Sequence, residues 1–256
     1  MNFSKILDIA LQASCEAAEG IIRVKKAGYD KWVKEDQSPV TEADYESNRI
    51  LIKHLEPLNI PILSEEQDDI PYETRKNWTT FWSLDPLDGT KEFIKGLPEF
   101  TINIALIHEG EPVLGIVAIP ESKKVYYGYG DSAWKANVSE GTIDQVQKLN
   151  PQPPGNILRV AASRSHLSSK TSDYIEGLKT DGRQLEIIQA GSALKFCLIA
   201  EGTAHIYPRF NPCMEWDTAA AHAILKAVGK NILQMDNGKQ LEYNKPSLLN
   251  PSFLAQ

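Results

Sequence analysis

The chain is poor in cysteine, in paired metal-binding motifs, in long apolar runs and in positive charge, and each shortage removes a class of protein. Three cysteines, Cys15, Cys197 and Cys213, are spread over 256 residues. The odd number and the absence of any CxxC pair exclude a disulfide framework or structural zinc site as the simplest account, and favour reduced thiols in a cytoplasmic compartment. His54, His108, His205 and His222 show no zinc spacing, so core or surface roles are expected for them. No stretch reaches the roughly 18 consecutive apolar residues of a membrane span, and the opening MNFSKILDIALQ lacks a basic leader before a long apolar run. A soluble chain without a transmembrane segment is therefore expected. No GxxxxGK[ST], GxGxxG or GxSxG pattern occurs, which removes P-loop, dinucleotide-fold and serine-hydrolase readings. With 27 Lys and Arg against 34 Asp and Glu, the formal net charge is -7, and no nucleic-acid partner is expected. An acidic enzyme can still take an anionic phosphate if bound divalent cations invert the local field.

What is present is ordinary globular material, 42% hydrophobic and 24% charged. Ile6, Leu7, Ala10, Ala17, Ile21 and Val24 form one stripe of an amphipathic helix over residues 3–27, whose expected fate is core packing, with membrane-surface binding as the lesser alternative. Ser38 to Thr41 reads as a turn opening a second helix, Glu42 to Leu55, stopped by Pro57. Ile60 to Leu63 is a short strand delivering Ser64-Glu65-Glu66, residues 67–78 are a polar surface excursion, and Phe81 to Leu84 is the next strand. Strands at 101–107, 113–120 and 125–130 are spaced as an antiparallel meander. The proline-rich stretch Asn150 to Gly155 is the expected boundary between a subdomain over 1–150 and another over 151–256. Beyond it, strands at 159–162, 186–189 and 204–207 alternate with helices at 167–179, 192–200 and 217–228, giving an α/β or α+β layering.

The strongest local signal is Asp85-Pro-Leu-Asp88-Gly-Thr90 after a buried strand. Pro86 fixes its own φ and biases Asp85 toward an extended conformation, so a sharp strand end is expected there. Asp85, Asp88 and the Leu87 carbonyl could then flank one point with hard oxygen ligands suited to Mg²⁺. Gly89 would allow an anion to approach the backbone, and Thr90 offers a hydroxyl for orienting a water. A turn with Asp88 as helix N-cap explains the same residues. Glu65 with Glu66 could equally be a solvated acidic turn, Asp44 a capping-box partner of Thr41, and Asp217 a plain N-cap. Taken separately these alternatives stand; they leave the joint occurrence of the set unexplained.

Glu65-Glu66 after a strand, then WSLDPLDGTKEF, then EWDTAAAHAIL near the C-terminus together resemble the metal-binding signatures of the inositol-monophosphatase superfamily, over essentially the whole chain. Lys91-Glu92-Phe93, Ser163-Arg164-Ser165-His166, Gly191-Ser192-Ala193-Leu194-Lys195 and the EWDTAA form of the last motif are most similar to those of bacterial 3'(2'),5'-bisphosphate nucleotidases. The resemblance implies a layered α-β-α-β-α sandwich of the sugar-phosphatase type. It implies two principal Mg²⁺ ions and a third, weaker one: Glu65, Asp85 and the Leu87 carbonyl for the first, Asp85, Asp88 and Asp217 for the second, and Glu65 with water for the third. Asp44 and Thr90 would orient and deprotonate the attacking water.

For the substrate, a small phosphorylated nucleotide, the resemblance implies contacts from Glu65, Asp85, Asp88, Gly89, Thr90 and Asp217 at the scissile phosphate. Ser163 and His166 would line the nucleotide site, Gly191 and Lys195 would meet the sugar or its phosphates, and Arg209 would meet the retained phosphate. Without the resemblance, Lys195 reads as a solvated helix residue and His166 as a polar loop residue. The implied reaction is adenosine 3',5'-bisphosphate plus water giving AMP and phosphate, with 3'-phosphoadenylyl sulfate as a second substrate, in sulfate assimilation and with sensitivity to lithium and calcium. Two rivals remain: an inositol or sugar monophosphatase on the same fold, and a non-catalytic binding protein. Self-association and peripheral contact with the inner membrane are left open by the sequence.

Overall fold

A computed structural model of the chain describes residues 3–34, 37–163 and 168–256, the side chains of Thr180 and Asp181 excepted. Helix α1 (Phe3–Ala27) follows the apolar stripe expected of it and leads into a hairpin of β1 (Lys31–Val33) and β2 (Pro39–Thr41). The expected turn at 38–41 is thus a short paired strand, whose last residue, Thr41, is the N-cap of α2 (Glu42–Leu55). β3 (Ile62–Ser64) follows, and the polar excursion after it contains a single helical turn, α3 (Tyr72–Arg75). Arg75 is buried there, its guanidinium donating to the carbonyls of Ile70, Lys245 and Pro246. The excursion is therefore pinned to the C-terminal segment as well as solvated.

β4 (Thr80–Asp88) runs on through Pro86, contrary to the expected sharp end at Asp85. Proline lacks only the N–H, and a bulge between Asp85 and Asp88 absorbs the lost ladder bond while strand pairing resumes at Asp88. α4 (Thr90–Ile94) comes next, followed by β5 (Thr101–His108), β6 (Glu111–Ile119), β7 (Lys124–Tyr129), β8 (Ser132–Ser139) and β9 (Thr142–Lys148). They extend the meander by two strands beyond those expected and complete a seven-stranded sheet ordered β3-β4-β5-β6-β7-β8-β9, parallel only at β3·β4. The second half places β10 (Ile157–Ser163) parallel to β11 (Gln184–Ala190), with α5 (Ser169–Gly177) between them in sequence. α6 (Leu194–Ala200), β12 (Tyr207–Arg209), α7 (Ala219–Ala227), β13 (Ile232–Gln234) and β14 (Phe253–Ala255) complete the chain, the last strand pairing with both β12 and β13.

Alternation along the strands sets the layers. Trp82, Leu84, Ile102 and Ile104 face α1 and α2, whereas Phe81, Ala105, Ile107 and Val117 face α6 and α7. On the far side of α6 the β10-β11 pair and the three-stranded β12-β14-β13 sheet, bridged between Val160 and Ile206, form a second β layer that packs through Ala161, Tyr207 and Phe253, and its outer face is covered by α5 through Ile175. The result is the expected five-layered α/β sandwich. One contact fixes how close α7 lies. Gly115 and Gly128 are cross-strand partners, and a Cβ on Gly115 would stand 1.9 Å from the Ala220 carbonyl oxygen. Only a hydrogen fits between sheet and helix there, and the segment preceding α7 is held correspondingly near the ends of β4 and β5.

Candidate metal centre and substrate cleft

Three remote segments bring carboxylates to one end of the central sheet. β3 ends just before Glu65, whose N–H donates to the Leu84 carbonyl; β4 carries Asp85 and Asp88; the short 3-10 turn Glu215–Asp217 carries Asp217. Asp85 is 1% exposed, and one of its oxygens accepts from the Leu87 N–H at 3.1 Å. Burial, reinforced by the neighbouring carboxylates of Glu65, Asp88 and Asp217, pushes the Asp85 carboxyl well above its ordinary range. Desolvation and then Asp88 raise Asp217 to about 7, although Arg209 and the Met214 N–H, donating at 3.1 Å, act the other way. Asp217 is the third residue of its turn, and its bond to Met214 makes half of a capping box. The N-cap alternative for Asp88 fails: Gly89 occupies that position and no side chain caps α4.

Asp44 satisfies its local and its long-range reading at once. Oδ2 accepts from the Thr41 N–H at 2.8 Å and the Thr41 hydroxyl at 2.6 Å, which closes the capping box, while Oδ1 accepts from the Thr90 hydroxyl at 2.9 Å. Burial raises the Asp44 carboxyl above its ordinary range, opposed by those three donors. The Leu87 carbonyl oxygen lies 3.3 Å from the same Thr90 hydroxyl, in a residue that is 2% exposed. Gly89 adopts φ +95, where any side chain is strained, and a Cβ would crowd the Glu99 carbonyl oxygen and Ser192 Oγ at 3.1 Å. Glu65 and Glu66 are not a solvated turn. Lys34 Nζ donates to Glu65 at 3.1 Å and to Glu66 at 2.6 Å, and the Glu66 side chain is 4% exposed, its carboxyl raised to about 7 by burial.

Among the described residues no three Asp, Glu, His or Cys side chains close tightly enough to chelate a single ion between them. Mg²⁺ does not need that many, because it is held by one or two carboxylates and keeps several waters. The donor set of carboxylates and a carbonyl, with no sulfur or imidazole, is of the hard kind that Mg²⁺ selects. Mutual repulsion among these carboxylates is relieved by a divalent ion. The residues fit the ion.

A cleft of about 350 Å³ opens from Asp88 and Gly89 toward the second half of the chain, with Ser163, Gly191, Lys195 and Arg209 in its walls. A wider depression of about 830 Å³ beside Asn59 and Ile60 contains none of Asp44, Asp85, Asp88 and Asp217. Lys195 is not a solvated helix residue: it is 2% exposed, its ammonium donates to the Ser192 carbonyl at 2.6 Å and lies 5.2 Å from the Tyr207 ring centroid. Burial pulls it down to about 8 even though Asp88 favours the charged form. Arg209 is held by the carbonyls of Asn211 and Pro212 and by the Tyr207 hydroxyl, all at 3.3 Å. Gly191 donates its N–H to Glu99 at 3.0 Å. His166, with Arg164 and Ser165, lies outside the described residues.

Sequence reasoning missed Lys34, Ser192, Thr101 and Asn103. Ser192 Oγ donates to the Asp88 carbonyl at 2.6 Å and lies 3.2 Å from Thr101 Oγ1, stitching the two halves at the metal end. Such bonds join residues 91 and 104 positions apart, and no local pattern announces them. The four histidines are accounted for separately, His54 on Glu16, His108 on Thr80, His205 on the Arg159 N–H and His222 between Tyr243 and Asn231. The three cysteines are free and buried.

A model described as the inositol monophosphatase family matches residues 3–255. A Salmonella typhimurium protein named 3'(2'),5'-bisphosphate nucleotidase CysQ is 42% identical over 255 residues, covering 97% of this chain and 98% of that one. The crystal structure of CysQ from Bacteroides thetaiotaomicron superposes with a TM-score of 0.90 at 38% identity, covering 100% of this chain and 98% of that one. An IMPase/NADP phosphatase complexed with Mg²⁺ and phosphate shares the fold at 18% identity and a TM-score of 0.73, covering 92% of this chain and 84% of that one.

Proposed function

Because the chain belongs to the inositol monophosphatase family, we propose that it is a Mg²⁺-dependent 3'(2'),5'-bisphosphate nucleotidase that hydrolyses adenosine 3',5'-bisphosphate to AMP and phosphate. The observation that carries the hydrolytic reading is the Thr90–Asp44 hydrogen bond, 2.9 Å long, beside the buried Asp85. A threonine hydroxyl does not lose its proton near neutrality. With Oγ1 already donating to Asp44, Thr90 can take a proton from a water and pass its own to Oδ1. The buried Asp44 carboxyl, raised above its usual range, is suited to receive it. Glu65, Asp85 and the Leu87 carbonyl would hold one Mg²⁺, Asp85, Asp88 and Asp217 would share a second by drawing together once it is bound, and Glu65 with water would hold a weaker third. Bound Mg²⁺ supplies water activation and neutralises the charge on the phosphoryl and leaving oxygens.

Substrate choice belongs to the other wall. The nucleotidase name of the relatives supports a substrate with two phosphates, and Lys195 and Arg209 are cations lining the cleft that Asp88 also lines. Ser163 and Gly191 lie along the same wall, where the sugar and base would run; 3'-phosphoadenylyl sulfate has the same two ends. The chain then divides into a lobe over 1–150 bearing Asp44, Glu65, Asp85 and Asp88 and a lobe over 151–256 adding Asp217 and the cations. No described helix is long and apolar enough to cross a membrane, and three free thiols suit the cytoplasm. A panel of phosphate esters assayed with and without Mg²⁺ tests the reading. Fastest release from the bisphosphate, abolished by chelation and by Asp88→Asn, is the expected outcome. Faster turnover of an inositol monophosphate overturns the substrate, and unchanged turnover in Asp88→Asn overturns the metal role.

A further inference from the structure

β5 opposes the metal strand, and two of its polar residues stand across from the two carboxylates. Thr101 is the cross-strand partner of Asp88, and Asn103 of Asp85. Opposed residues of an antiparallel pair project from the same face, here the face packed by α7, since Ala105 and Ile107 on that side belong to its core. Thr101 is 0% and Asn103 1% exposed, and both are surrounded by protein. Buried amides normally have partners for their hydrogens. Asn103 Nδ2 has none among the described residues, and neither does the buried hydroxyl of Ser83, two residues before Asp85 on the same face of β4.

In the observed arrangement Nδ2 is the free end of the amide. Ser192 commits its one hydroxyl hydrogen to the Asp88 carbonyl at 2.6 Å. Thr101 then donates to Asn103 Oδ1 at 3.0 Å, the shorter of its two contacts. Both amide hydrogens of Asn103 are left, on the side of the sheet that bears Asp85. Two unpartnered donors and a buried carboxylate at adjacent positions provide the two to four polar partners that a structural water requires. Resting on the proposed metal role of Asp85, we propose that Asn103, backed by Thr101, is a positioning residue of the metal centre. Its Nδ2 donates to a water shared with Ser83 Oγ, and that water holds the Asp85 carboxylate from behind. The orientation of a metal-binding carboxylate is set by such hydrogen bonds, and their loss typically weakens metal affinity by about 10–100-fold.

Titration calorimetry of Mg²⁺ into the purified full-length protein, with thermal unfolding measured with and without Mg²⁺, tests this. Asn103→Leu should raise the Mg²⁺ dissociation constant by about 10-fold or more, a readout separate from any fall in its Tm without Mg²⁺ caused by the lost Thr101–Asn103 bond. Ser83→Ala and Thr101→Val should weaken Mg²⁺ binding in the same direction but less, and excess Mg²⁺ should restore kcat in all three. A merely structural role would lower the Tm without Mg²⁺ but leave the dissociation constant unchanged. Wild-type Mg²⁺ affinity in Asn103→Leu overturns the inference; if that variant does not fold, wild-type affinity in both Ser83→Ala and Thr101→Val overturns it. Failure of the unaltered protein to bind Mg²⁺ would be a different result, removing the metal reading and the inference together.

Discussion

The two walls of the cleft are held by opposite means. On the acidic wall, Asp85 and Asp217, which lie behind Asp88, are raised by burial and by neighbouring carboxylates, so that side is internally repulsive. On the basic wall, Lys195 and Arg209 are already satisfied by main-chain carbonyls at Ser192, Asn211 and Pro212. One side therefore needs positive charge from outside to reach its working geometry, while the other is prepared before anything binds. The proposed function divides catalysis from selectivity between these two sets of groups, so each should be open to damage without the other.

The largest test of that separation is Thr90→Val. It removes the donor to Asp44 while leaving every carboxylate in place, and should lower kcat by about 10²–10⁴-fold with Mg²⁺ affinity unchanged in calorimetry. A parallel loss of Mg²⁺ binding would merge the two functions of the acidic wall. On the other side, Lys195→Met should raise KM for adenosine 3',5'-bisphosphate by about 10–100-fold, from the roughly 1.5–3 kcal/mol of a hydrogen bond to a charged group. Turnover of a simple monoester should be spared; equal damage to both substrates in steady-state assays would mean that the lysine only supports the fold. The smallest effect is on pH. The buried ammonium of Lys195 is charged below about 8 and neutral above it, so KM for the bisphosphate should climb as pH rises through that value. Lys195→Met should lack this step, and a wild-type pH profile in that variant would assign the titration to another group.

Much of this architecture was legible in the sequence because its signals are local. Glu42 to Leu55 has a cap, a period and a stop, and the helix occupies those limits. The apolar strands of the meander appear where alternation and turns put them. β8 and β9 were missed because they lie toward the sheet edge, and Thr142–Lys148, mostly exposed, carries almost no apolar alternation. Pro86 was misread because the rule for proline in strands concerns its missing N–H, and a bulge at that point makes the loss harmless. At the site, the motif carboxylates could be named because their residue types and order are distinctive. Lys34, Ser192 and Asn103 could not, since their importance comes only from which distant group each one faces.

The paired glycines under α7 set a working tolerance for the whole centre. Asp217 approaches the other carboxylates from the turn that leads into a helix seated on hydrogens rather than methyl groups, so the helix's height sets how near Asp217 stands to them. Changes that add bulk at Gly115 would lift this helix and widen the gap even if every acidic group were intact, and dense packing there would trade directly against reach.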